Sequence, residues 1–222
     1  MTLVDESQLE VHKPKSLCTP KDNIYIGSWN VRSMYVTGKT AQIEQEMDRY
    51  RLDIIGLSEV RWPMNGKTTL QSGKLVLYSG REDGLHQEGV GIMLTKKAKK
   101  SLMEWKPINE RLMYARFYTS TLKISLIVMY SPTNESPEET KETFTEELQE
   151  VIYNTPKHDI LLIIGDFNAK VGSNNKGHES AMGKHGIGER NENGERLLDI
   201  CELNNLVTVR GVRVSYRNNI SS

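Results

Sequence analysis

Asp159-Ile160-Leu161-Leu162-Ile163-Ile164-Gly165-Asp166-Phe167-Asn168 is the stretch that decides the fold. The apolar run Ile160 to Ile164 has the length and β-branched content of a strand covered on both faces. It closes on Gly165 and then presents a carboxylate, Asp166, and an amide, Asn168. In open α/β sheets, ligands bind outside the carboxyl ends of strands. The same two residues are also common in simple Asx turns, so this stretch alone leaves both readings open.

Three further segments repeat the pattern. Asp53-Ile54-Ile55-Gly56-Leu57-Ser58-Glu59 ends on a carboxylate, and Ile24-Tyr25-Ile26-Gly27-Ser28-Trp29-Asn30 ends on an amide. Ile124-Ser125-Leu126-Ile127-Val128-Met129-Tyr130 ends on a phenol ahead of Ser131-Pro132. Four strands that each finish on a polar side chain suggest one shared site of Asn30, Glu59, Tyr130, Asp166 and Asn168. Two carboxylates among neutral oxygen donors suit a hard cation, Mg²⁺ or Mn²⁺, better than zinc.

The bulk composition bounds the alternatives. A chain of 222 residues is long enough for one substantial core and short for two. Formal net charge is zero, which argues against a general electrostatic grip on nucleic acid while allowing a local basic face. Lys96-Lys97-Ala98-Lys99-Lys100 reads as a solvated loop or helix end rather than a phosphate-contacting or nuclear-targeting patch. Cys18 and Cys201 match no metal or redox spacing. With no signal-like apolar segment near the start and no membrane-length run, the expected setting is nuclear or cytoplasmic, not secreted, with no membrane partner.

Along the chain, residues 1–22 read as an unstructured, polar lead-in containing Pro14 and Pro20. Ile43, Met47 and Tyr50 predict an amphipathic helix over 39–50. Strand candidates at 75–78, 90–94, 113–118 and 122–130 follow one another closely, which favours antiparallel pairing. Ser136-Pro137-Glu138-Glu139 predicts a helix start with Ser136 as N-cap, and Phe144, Leu148, Val151 and Ile152 form its buried stripe. A last helix over 194–204 turns Leu197, Leu198, Cys201 and Leu203 inward. Val207 with Val209, then Val212, Val214 and Tyr216, form two short alternating runs. Helices bracketing strands around an antiparallel section point to an α/β sandwich, two packed β-sheets with helices outside. The glycine-rich segment 170–193 has the composition of a phosphate-contacting loop (Lys176, His178, Lys184, His185, Arg190), though disorder without function fits equally.

The ordered set Trp29-Asn30-Val31-Arg32, Leu57-Ser58-Glu59-Val60-Arg61-Trp62, Gly89-Val90-Gly91-Ile92, Tyr130-Ser131-Pro132 and Gly165-Asp166-Phe167-Asn168 resembles the endonuclease/exonuclease/phosphatase superfamily. Within it, the chain is most similar to endonuclease domains of non-LTR retrotransposons and to craniofacial development protein 2-like sequences. The stretch Gly186 to Leu198, with Arg190 and Asn191, is similar to one typical of that subgroup.

The resemblance implies a four-layered α/β sandwich, with a domain over 23–209, a divergent tail at 210–222 and the last strands missing. It implies Mg²⁺- or Mn²⁺-dependent phosphodiester hydrolysis, with DNA as partner. Carried over, Glu59 and Asn30 look like the metal site and Tyr130 a contact to the scissile phosphate. Asp166 would orient or deprotonate water, and Asn168 would stabilise charge on phosphoryl oxygens. Arg32, Arg61, Lys184, His185, Arg190 and Asn191 are the candidate substrate contacts.

Two departures shape the expectation. Arg32 stands where many abasic-site endonucleases carry an acidic residue, which disfavours abasic-site repair. The Asp-His pair that closes the family's last strand has no counterpart before Ser222. The expected chain is therefore a truncated DNA endonuclease of retrotransposon type with impaired activity. The alternatives are a catalytically dead nucleic-acid or protein-binding module of the same fold, and a phosphatase of the same superfamily.

Overall fold

The computed structural model describes residues 14–18, 23–183, 186–209 and 212–215, the last four by backbone alone. The elements in chain order are β1 (Asn23–Asn30), α1 (Lys39–Arg49), β2 (Ile54–Ser58), β3 (Asn65–Thr69), β4 (Leu75–Ser79) and β5 (Val90–Leu94). Then come α2 (Lys96–Ser101), β6 (Leu102–Pro107), β7 (Leu112–Phe117), β8 (Ile124–Tyr130), α3 (Glu138–Tyr153), β9 (Ile160–Asp166), α4 (Glu192–Leu203) and β10 (Val212–Ser215). One sheet has the order β10-β1-β2-β5-β4-β3 and the other β6-β7-β8-β9. The pairs β1–β2 and β8–β9 are parallel and all others antiparallel.

Period-two alternation builds the layers. Ile24, Ile26, Ile54, Leu77, Ile92 and Leu94 from one sheet meet Met113, Phe117, Leu126, Val128 and Ile164 from the other in one core. The opposite face of the first sheet, Ile55, Leu57, Val76 and Met93, packs on Ile43 and Met47 of α1. On the far side of the second sheet, Leu112, Tyr114, Ile127 and Met129 pack on Phe144, Leu148 and Ile152 of α3 and Ile200 of α4. The result is the expected four-layered α/β sandwich. Strands β2 and β5 are buried at every residue because both their faces are covered.

Two glycines set how closely the chain approaches itself near the strand ends. A Cβ at Gly56 would lie 2.7 Å from Ile164 Cδ1, so this glycine lets the two sheets close directly below the site. Gly165 has φ +142°, and a Cβ there would sit 1.9 Å from the Met129 carbonyl oxygen. Side chains other than glycine rarely adopt that conformation, and the space is already occupied by backbone.

Several sequence expectations need correction. Residues 14–18, expected to be part of an unstructured lead-in, run against the second sheet, with Lys15 N donating to Lys100 O and Leu17 N to Tyr118 O. Leu17 and Cys18 are buried in the inter-sheet core, an apolar pair outweighing its polar neighbours. Residues 212–215, placed in a divergent tail, pair antiparallel with β1. Tyr50 is the exposed C-cap of α1 rather than part of its buried stripe. Pro137, not Ser136, is the N-cap of α3; Ser136 is drawn into the preceding turn by Thr133. Helix α4 starts earlier than expected because the Asn191 side chain caps it, and Leu203 points to solvent.

Strands β3 and β6 were not expected. Their sequences, Asn-Gly-Lys-Thr-Thr and Leu-Met-Glu-Trp-Lys-Pro, are those of outer strands, held by backbone pairing rather than by burial. Strand β9 is the other outer strand of the four-stranded sheet. A cleft of about 680 Å³ opens beside it, lined by Ile26, Leu161, Ile163, Ile200 and Leu206 among others. Among the described residues, no helix is long and apolar enough to cross a membrane.

The close approach at Gly165 yields a measurable asymmetry. Gly165→Ala should lower the unfolding free energy by more than about 3 kcal/mol, combining backbone strain with overlap on Met129. Gly84→Ala, at φ +79° but with nothing within 4 Å, should cost about 1 kcal/mol. Urea midpoints of the two variants check this, and equal midpoints would contradict it.

Candidate functional site

The carboxyl ends of β1, β2, β8 and β9 lie at one edge of the sandwich. Parallel pairing puts Asn30 opposite Ser58, and Tyr130 opposite Asp166. Each pair belongs to a different sheet, so the site straddles the seam between them.

The Asn30 amide joins the two halves. Its Nδ2 donates to Glu59 Oε1 at 2.7 Å and to Asp166 Oδ2 at 2.7 Å. The two carboxylate oxygens can therefore be no farther apart than twice that distance. The Asn30 Oδ1 accepts from the backbone N of Arg32 at 3.1 Å, which orients the amide and leaves its N–H groups facing the acids. Arg61 Nη2 pairs with Glu59 Oε2 at 2.8 Å. Arg111 lies with its guanidinium carbon 5.2 Å from the Tyr130 ring centre, while its Nη2 pairs with Glu88 at 3.0 Å.

The electrostatics follow from these contacts. Burial disfavours charge on Glu59, but hydrogen bonds from Asn30 and Arg61, the Arg61 charge and a hydrogen bond from Tyr130 outweigh it. Its pKa is held below the ordinary 4.5. The Tyr130 phenol is pushed up from its ordinary 10.0, by burial first and then by the Glu59 charge, with Arg111 opposing. At neutral pH the site thus presents ionised Glu59 beside a protonated phenol.

The backbone here is strained. Nine non-glycine residues among those described have positive φ, and seven of them (Arg32, Ser33, Glu59, Arg61, Met64, Glu88 and Asn168) lie in the loops leaving β1, β2, β4 and β9. Each such residue costs roughly 1–3 kcal/mol and persists only where its surroundings hold it. For Glu59 and Asn168 the holding contacts are visible. Glu59 is gripped by Asn30 and Arg61, and Asn168 donates from Nδ2 to Ser131 O at 2.8 Å and from N to Asp166 Oδ1 at 3.1 Å.

Of the residues expected from sequence, Asn30, Glu59, Tyr130, Asp166 and Asn168 are brought together, with Arg61 beside Glu59 and the Arg32 backbone bonded to the Asn30 amide oxygen. Arg190 and Asn191 are turned to other work. Arg190 spends its donors on Val171 O, Asn174 O and Glu195, and Asn191 caps α4 while its Nδ2 donates to Asn168 O at 3.3 Å. Lys184 and His185 lie outside the described residues. The described part of 170–193 is ordered rather than structureless, because Ala181 and Met182 pack on Leu198 and Cys201 and His178 bonds Glu202.

Sequence reasoning missed three positioning residues. Ser58, fully buried, has its Oγ 3.3 Å from Met129 O and receives the Asp166 backbone N–H at 3.2 Å, a direct link between sheets beneath the site. Asn193, buried, donates to Pro132 O at 2.9 Å and Asn168 O at 3.2 Å. Arg111 backs Tyr130. Ser58 and Asn193 both fall inside motifs that the resemblance had singled out. Nothing in the sequence around Arg111 marks it.

Residues 27–210 match the family described as Endonuclease/Exonuclease/phosphatase. The chain belongs to this family. It is 37% identical over 187 residues to Craniofacial development protein 2 of Tragulus javanicus, a match covering 84% of this chain and 32% of that protein. The Bos taurus protein of the same name is also 37% identical, over 84% of this chain and 31% of its own length. The chain thus spans about a third of the length of the curated relatives it matches.

Among solved structures, AP endonuclease LMAP from Leishmania major superposes with a TM-score of 0.60 at 10% identity, covering 84% of this chain and 68% of that one. The endonuclease domain of TRAS1, a telomere-specific non-LTR retrotransposon, gives 0.54 at 15% identity, with 82% and 72% covered. At these identities the likeness is one of fold.

The donor set can be tested against a cation without further assumption. Among the described residues, no three His, Cys, Asp or Glu side chains gather into a metal cluster. The site offers two carboxylates and an amide, all oxygen ligands when the amide turns. That set fits a hard cation that keeps most of its water, and does not fit zinc.

Removing the bridging amide should expose the two acids to each other. A depressed folded-state pKa at Glu59 means its contribution to stability is fully present above about pH 4.5 and is lost as pH falls through the folded value. Asn30→Ala should therefore cost about 1–3 kcal/mol at neutral pH. The gap to the parent protein should narrow below pH 4.5. Urea unfolding across pH 3–7 checks this; a gap that stays constant would show that the bridge does not couple to Glu59 ionisation.

Proposed function

We propose that this domain hydrolyses phosphodiester bonds in nucleic acid with the help of a hard divalent cation, Mg²⁺ or Mn²⁺, as a DNA endonuclease of retrotransposon type. The observation carrying this reading is the Asn30 amide shared by Glu59 and Asp166 across the sheet seam. Glu59, with Asn30 beside it, would hold the cation. A bound cation of this kind neutralises charge developing on phosphoryl oxygens.

The remaining work falls to the chain's own groups. Asp166 is the candidate to orient and accept a proton from the attacking water, since one of its oxygens is pinned by Asn30 and the other by the Asn168 backbone. Tyr130, kept protonated, donates its one O–H to Glu59 in this structure and would turn it to a phosphate oxygen once a cation engages Glu59. The Asn168 side chain has one N–H committed to Ser131 O and its second free for a phosphoryl oxygen. Arg61 and Arg32 supply positive charge at the rim. These roles match what phosphoryl transfer requires of a protein, which is positioning and electrostatic stabilisation.

One observation favours a second reading, a binding module with little turnover. No described histidine is hydrogen-bonded to Asn30, Glu59, Tyr130 or Asp166; His86 bonds the Arg61 backbone and His178 bonds Glu202. A missing acid–base group typically costs about 10²- to 10⁴-fold in rate.

Nicking of supercoiled plasmid separates the two. With Mg²⁺ the chain is expected to convert plasmid slowly to the open circle, and Asp166→Ala to reduce the rate by at least about 10²-fold. Cleavage unaffected by that substitution would remove Asp166 from the mechanism. Absence of cleavage with DNA binding retained would establish the binding module instead.

A further inference from the structure

We propose that Tyr35 and His86 form a stacking shelf for an unpaired nucleobase next to the phosphate held at the Glu59–Asp166 site. This inference rests on the nucleic-acid reading above and adds to it a preference for substrate with an unstacked base beside the cleavage point.

The two rings come from different loops and meet at the rim. Tyr35 follows β1 and His86 lies between β4 and β5, yet their ring centres are 4.3 Å apart at an interplanar angle of 70°. This edge-to-face contact sits in the open. Tyr35 is 56% exposed, and the chain neighbours of the two rings, Val36 and Leu85, are 61% and 50% exposed. A tyrosine so exposed gains little from burial, so the fold has no need of it for its core.

The loops that carry both rings are nonetheless held. Met34, buried beside Tyr35, donates its backbone N–H to Val60 O, and the Tyr35 N–H donates to Ser33 Oγ at 3.0 Å. His86 Nδ1 donates to Arg61 O at 3.2 Å. Ser33 and Arg61 are among the positive-φ residues, so the strained loops are what bring the rings together.

A continuous chain of contacts joins shelf and site. His86 bonds the backbone of Arg61, and the Arg61 side chain pairs with Glu59, two residues away along the chain. Residues 59 and 61 are at most about 7 Å apart along the chain, which keeps the Arg61 backbone that anchors His86 near the Glu59 carboxylate. On the other side, Arg32, exposed and bonded through its backbone to Asn30, lies three residues before Tyr35. An aromatic pair whose loops also carry Arg32 and Arg61, adjoining a candidate phosphate site, is the kind of arrangement by which proteins track single strands. Phosphates are met by charge and bases by rings. It also answers a difficulty posed by composition. With zero formal net charge, a general electrostatic attraction is absent, so stacking would supply affinity that does not depend on it.

Fluorescence anisotropy of a short labelled oligonucleotide, in Ca²⁺ so that an oxygen-bound cation is present while its looser geometry disfavours cleavage, tests the shelf. The parent chain should bind a single strand more tightly than a blunt duplex of the same sequence. Tyr35→Ala should weaken single-strand binding about 5- to 100-fold with its salt dependence unchanged, while Tyr35→Phe stays within about twofold. Arg32→Ala should instead flatten the salt dependence. Urea midpoints equal to the parent's exclude misfolding as the cause.

The outcomes separate the two layers of argument. If the parent binds no oligonucleotide, the nucleic-acid reading fails and the shelf fails with it. If the parent binds and Tyr35→Ala binds equally well, only the shelf is overturned, and the exposed patch belongs to a protein contact or to none.

Discussion

The site depends on one side-chain amide donating to two carboxylates from different parts of the sandwich. Asn30 ends a strand of one sheet, Glu59 follows that strand's neighbour, and Asp166 ends a strand of the other sheet. Two acids this close would repel if nothing lay between them. The amide supplies two N–H donors, one to each acid, and its own oxygen is fixed by Arg32. Charge at this edge of the molecule is thus a property of the packed sheets rather than of any one segment.

Packing below the site makes that contact possible. Gly56 lets Ile164 and Val128 approach β2, Gly165 admits the Met129 carbonyl, and the Ser58 hydroxyl reaches both Met129 and Asp166. The sheets are therefore in direct contact beneath the place where the acids meet. Above this tight floor, the loops hold seven non-glycine residues at positive φ. Strain of this kind needs a rigid base, and the fully buried strands β2 and β5 provide one. The same loops carry the exposed Tyr35 and His86, so this rim holds most of the positive-φ non-glycine backbone among the described residues.

Segment 170–193 has a part different from the one its composition suggested. Its glycines and cations resemble those of an anion-binding loop, yet Arg190 and His178 are consumed by internal partners. Asn191 and Asn193 reach back to the Asn168 carbonyl and hold the turn after β9. The loop and the helix it feeds therefore act on the site at one remove, by fixing the residue that follows Asp166.

Much was legible in the amino-acid sequence alone. Apolar runs ending in Asn30, Glu59, Tyr130 and Asp166 marked the strands, their common edge and the polar groups gathered there. That worked because strand burial is written in local pattern, and four repetitions of one pattern are hard to misread. What the sequence left open were features set by partners distant along the chain. Leu17 and Cys18 sit in a polar stretch and are buried only because two sheets offer them a slot. Strands β3 and β6 exist through backbone pairing that leaves little trace in side-chain hydrophobicity. The fate of Arg190, the bridging geometry of Asn30 and the meeting of Tyr35 with His86 were decided by tertiary structure, since a side chain's composition states which bonds it can make and only the fold chooses its partner.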